Sequence, residues 1–73
     1  MGIFHITVAG SNIKVEQESE NSFIVELPGG TLFLIRKQDN EGASHWFEEG
    51  ADNETGFTKE LGIAIEAHHM SQL

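Results

Sequence analysis

The sequence predicts an α+β fold, a five-stranded antiparallel β-meander with one C-terminal amphipathic helix packed on one face. Three observations carry this reading. Successive short runs alternate apolar with polar residues, the period-2 signature of half-buried strands. Turn signals separate the runs, among them Gly10-Ser11, Pro28-Gly29-Gly30 and Asp39-Asn40. The last segment alone has apolar residues at helical spacing together with the Glu, Leu, Ala and Met content that favours a helix, and a sheet must have one face covered.

The first strand, residues 3–9, places Phe4, Ile6 and Val8 on one face and His5 and Thr7 on the other. A glycine at the first central position of a two-residue loop suits a type II′ turn. With Gly10-Ser11 as that loop, Val8 lies opposite Ile13 and Ile6 opposite Val15. The second strand, 12–18, then turns Ile13 and Val15 inward and leaves Lys14, Glu16 and Glu18 in water. A polar loop over 18–22 follows. The third strand, 22–27, sets Phe23, Val25 and Leu27 against Ile24 and Glu26, so its apolar face continues that of the first two.

Proline presets the backbone for the turn after Leu27. The fourth strand, 31–38, differs from the rest: Leu32 and Leu34 occupy one face, Phe33 and Ile35 the other, which predicts burial on both sides. After the polar loop QDNEGA comes the fifth strand, 44–49, with Trp46 and Glu48 on one face and His45, Phe47 and Glu49 on the other. A polar connection leads to a helix over 55–69, in which Phe57, Leu61, Ala64, Ile65 and His68 fall on one side and Thr55 or Thr58 caps the start. Residues 62–67 also read as period 2, and Gly62 costs a helix about 1 kcal/mol relative to alanine. Length and composition decide for the helix.

The 73 residues form one domain, 1–73, with a small core. A core of this size rarely supplies more than ~3–5 kcal/mol net, so small folds gain from a partner subunit, a metal or disulfides. Disulfides are excluded, because the chain has no cysteine. The N-terminal segment reads as a strand rather than a signal peptide, and no apolar run approaches a membrane span, so the expected location is cytoplasmic. Twelve acidic and four basic residues give a formal net charge of −8. Such a surface argues against a phosphate backbone as partner and keeps a small protein soluble.

The parts for catalysis are missing. There is no cysteine nucleophile, no Gly-x-Ser-x-Gly elbow and no phosphate-cradling glycine loop. Glu48-Glu49 are neighbours on a strand and therefore diverge. The expectation is a protein without catalytic activity and without a cofactor. Imidazole with carboxylate is a common metal-ligand set, and His45 and His68 are the candidate ligands, yet the H-x-x-x-H spacing is missing. His68 and His69 are adjacent, about 100° apart on a helix.

A single helix covers a single sheet face. Ile24, one pair from the fourth strand and one aromatic of Trp46-Phe47 must then lie on the other face, and apolar patches of that kind mark interfaces. The sequence therefore predicts a homodimer, through sheet faces or edges, that binds another protein, with Ile24, Leu34, Trp46 and Phe47 as interaction residues. The competing arrangement is a coiled sheet that closes on itself as a partial barrel. The competing function is a small-molecule or metal site lined by His45, Trp46, Glu48 and His68.

Overall fold

The computed structural model describes residues 2–70. Five strands form one open antiparallel sheet in the order β1-β2-β3-β4-β5: β1 is Gly2–Val8, β2 Ser11–Ser19, β3 Ser22–Leu27, β4 Gly30–Gln38 and β5 Ser44–Glu48. The helix α1, Gly56–Met70, packs on one side of it. The meander and its helix are those the sequence predicts, and the sheet does not close into a barrel: β1 and β5 are its two edges. Helix α1 runs mainly against these two edge strands, so it spans the concave side of the curled sheet.

The first hairpin differs from expectation. Its loop is Ala9-Gly10, with both residues at positive φ, 52° and 80°. This is the type I′ combination, whose twist matches that of the flanking strands. Val8 therefore pairs with Ser11, Ile6 with Ile13 and Phe4 with Val15, two residues along from the expected register. A shift of two preserves the faces. Phe4, Val15, Val25 and Leu32 line up across four strands, aromatic beside β-branched beside aliphatic.

The second turn is tighter than the predicted loop, since Ser19 pairs with Ser22 and only Glu20-Asn21 lie between. Arg36 holds it from β4. Its Nε donates to Asn21 Oδ1 at 3.1 Å, its Nη2 to the Glu20 carbonyl at 3.1 Å, and its guanidinium lies 5.9 Å from the Trp46 ring centre.

The core lies between sheet and helix. Ile6, Val8, Ile13, Val15, Phe23, Val25, Leu34 and Trp46 come from the strands, Leu61 and Ile65 from α1. Burying each of the two helix side chains is worth about 1.5–3 kcal/mol. Thr55 caps α1. The Thr58 N–H donates to Thr55 Oγ1 at 3.1 Å, and the Thr55 N–H donates to Thr58 Oγ1 at 2.9 Å, a reciprocal box with threonine in the place usually held by glutamate. Gly62 lies against the indole of Trp46, where a β-carbon would stand 2.2 Å from ring atoms. The helix takes glycine there because the largest side chain of the chain occupies the space.

Candidate functional site

Register settles which side of each two-faced strand meets the helix. Phe23 pairs with Leu34, so Leu34 joins the helix-facing side and is fully buried. Arg36 pairs with Trp46, which is 2% exposed, with its Nε1–H donating to Glu66 Oε1 at 3.0 Å. Leu34 and Trp46 are thus core residues and not interaction residues, a correction to the sequence reading. Alternation leaves open which side of each strand is covered; the β4–β5 register puts Leu34 and Trp46 on one face, and the helix covers it.

Ile24 and Phe47 do lie on the helix-free face. Ile24 pairs with Phe33, and Ile35 with Phe47. Phe33 and Ile35 are alternate residues of β4, so these four side chains form a contiguous apolar patch across β3, β4 and β5. Phe33 is 46% exposed, and Ile24, Ile35 and Phe47 are half-buried. Charges ring the patch. Lys37 Nζ lies 5.5 Å from the Phe47 ring centre, Glu16 pairs with Ile24 from β2, and the cross-strand pair Lys14–Glu26 closes to 3.5 Å. A second apolar feature lies at the β1 edge: a groove of about 350 Å³ between the end of β1 and the flank of α1, with Val8, Ile63, Ala64 and Ala67 on its walls and Glu60 at its rim.

His45 is half-exposed between two carboxylates. Its Nε2 lies 3.0 Å from Asp39 Oδ2 and its Nδ1 3.5 Å from Glu54 Oε1. Asp39 in turn accepts from the backbone N–H groups of Glu41 and Ala43 at 2.8 and 3.0 Å, and Glu54 Oε2 accepts from the Trp46 N–H at 2.8 Å. The hydrogen bond to Asp39, then that to Glu54, raises the His45 pKa above 6.5. Asp39 is lowered below 3.8, mainly by His45 and then by the two amides. Glu54 is lowered below 4.5, chiefly by the Trp46 N–H. The cluster clips the QDNEGA loop and the segment before α1 onto β5.

Its pH dependence follows from these directions. The contribution of the raised histidine is fully present below pH 6.5 and is lost as pH rises through its folded value. That of the lowered carboxylates is present above 4.5 and is lost as pH falls through theirs. The stability difference between the parent chain and His45→Gln is therefore expected to be largest between pH 4.5 and 6.5 and to shrink at pH 8.5, read from urea midpoints. A difference that grows toward pH 8.5 would contradict the clip.

The four residues of the alternative pocket do not converge. His45 and Trp46 are successive residues on opposite faces, Glu48 is exposed near the end of β5, and His68 stacks on Phe4 beside β1 with ring centres 4.4 Å apart. Among the described residues, no group of three or more His, Cys, Asp or Glu is arranged to hold a metal ion. Among them, too, no helix is long and apolar enough to cross a membrane. The patch on the outer face had a sequence signal in the two-faced fourth strand. The His45 clip had a weaker one, an Asp-Asn loop ending just before a histidine.

No protein-family model, curated protein or solved structure matches the chain, so shape and chemistry are the basis for its function.

Proposed function

We propose that the chain is a small homodimeric protein-interaction module without catalytic activity, which offers the helix-free face of its sheet to another protein. The observation that supports this most is the patch of Ile24, Phe33, Ile35 and Phe47, left uncovered by the only helix among the described residues. Monomeric proteins seldom leave such side chains contiguous, and patches with a polar rim mark sites of association. Phe33 stands near the centre of the patch, where an aromatic anchor contributes most to binding.

A photoreactive phenylalanine analogue at position 33, introduced in the source cells, is expected to yield a discrete cross-linked species. The same analogue at exposed Glu41, in the loop before β5, should not. Phe47→Asp, which places a charge inside the patch, should abolish the product while leaving the fold intact. Equal labelling from positions 33 and 41, or a product indifferent to Phe47→Asp, would count against the reading.

A further inference from the structure

The two edges of the sheet are treated differently. On β5 the outward groups of Trp46 are both taken: its N–H donates to Glu54 at 2.8 Å, and its C=O accepts from the Thr58 hydroxyl at 2.8 Å. On β1 the outward groups follow from the hairpin. Val8 and Ser11 close the two-residue loop, so Val8, Ile6, Phe4 and Gly2 turn their N–H and C=O toward β2, and those of Ile3, His5 and Thr7 point away from the sheet. Among the described residues, no backbone hydrogen bond from a loop or the helix reaches these three. All three are exposed. The usual protections of an edge are also missing from it, for β1 has no proline, no lysine and no bulge.

We propose that β1 is the dimer contact: two copies pair their β1 strands antiparallel across a two-fold axis at His5, joining the two sheets into one. This rests on the homodimer reading above and names its surface. An axis at His5, the centre of Gly2–Val8, pairs the strand over its whole length, Ile3 with the partner's Thr7 and Val8 with the partner's Gly2. About six backbone hydrogen bonds result.

Charge complementarity selects a second copy as the occupant. The strand itself has no formal charge, so the net charge of −8 on each chain is not concentrated at the contact. Helix α1 runs alongside β1 in the opposite direction, with Glu60 beside Thr7–Ala9 and His68 and His69 beside Gly2–Phe4. The two ends of the edge thus differ in character, one acidic and one bearing imidazoles. An antiparallel two-fold brings unlike ends together, the Glu60 end of each copy beside the imidazole-bearing end of its partner. On the helix side the contact meets small and apolar groups, Ala64, Ala67 and the 58%-exposed Ile63, which lets two helix flanks approach.

The test is molar mass by light scattering over a dilution series, for the parent chain and three variants. The parent is expected at twice the 8.1 kDa of one chain. His5→Pro removes an outward N–H and no bond to β2, and proline is tolerated at such edge positions. It should shift the dimer at least tenfold toward monomer while retaining the far-ultraviolet dichroism and a cooperative melt. Ile63→Glu, on the exposed helix flank, should weaken the dimer without touching the strand, and serves if His5→Pro does not fold. Phe33→Asp, on the outer face, should leave the mass unchanged. A dimer indifferent to His5→Pro and Ile63→Glu but broken by Phe33→Asp overturns the edge contact and keeps the homodimer. A monomer at every concentration overturns both, and leaves the β1 edge to an extended segment of a different protein.

Discussion

Gly62→Ala is expected to lower stability by roughly 2 kcal/mol, although alanine is the better helix former by about 1 kcal/mol. Overpacking a filled core costs about 1–3 kcal/mol, and here the upper end applies. The added carbon would meet the root of the Trp46 ring, Cγ and Cδ1 at 2.2 Å, and not the flexible tip of a side chain. The ring has nowhere to go: Phe23 lies against it at 5.4 Å between centres, Arg36 at 5.9 Å, and its Nε1–H is fixed on Glu66. A net loss of that size should lower the melting temperature by roughly 10 °C in a domain this small. Gly56→Ala is the control, at the first residue of α1, where nothing lies within 4 Å of the added carbon. It should leave the chain as stable or slightly more so. If Gly62→Ala matched Gly56→Ala in a urea titration, the close packing of helix on indole would be wrong.

Gly62 also shows where sequence reasoning stops. Alternation placed every strand and gave the residues that share each face, because the two-residue period is a local property of the backbone. The helix was legible from spacing, and Thr55 and Thr58 were both candidates for the cap. In the structure they cap each other. What no local pattern fixes is the choice between two equivalent faces. Leu34 or Phe33, Trp46 or Phe47: either set would satisfy the alternation, and only the position of α1 decides. A glycine in the middle of an otherwise good helix was the available signal, since it announces a close neighbour. Read only as a cost to the helix, it did not point to Trp46.

The register of the first hairpin was missed for a related reason. Glycine at the first central position suits a type II′ turn, whereas the chain puts Ala9 there at positive φ and Gly10 second. Propensity ranks alanine low in that conformation, and both registers set two apolar pairs across the first hairpin, so pairing pattern does not separate them. The outer-face patch survived the error, because a shift of two residues moves side chains along the sheet and not through it.

Thr58→Val is expected to cost about 2 kcal/mol with almost no change in shape, because valine fills the same volume and the loss is of hydrogen bonds alone. Thr58 is the one polar residue buried among the described residues, at 3% exposure, and its hydroxyl has two duties. It donates to the Trp46 carbonyl at 2.8 Å, which closes the β5 edge, and it accepts from the Thr55 N–H at 2.9 Å, which completes the helix cap. Valine leaves a carbonyl and an amide without partners in a partly buried setting. Thr58→Ser keeps the hydroxyl and loses one methyl, so it should cost about 1 kcal/mol and retain the cap. Equal losses for serine and valine would mean that the methyl, and not the hydroxyl, matters.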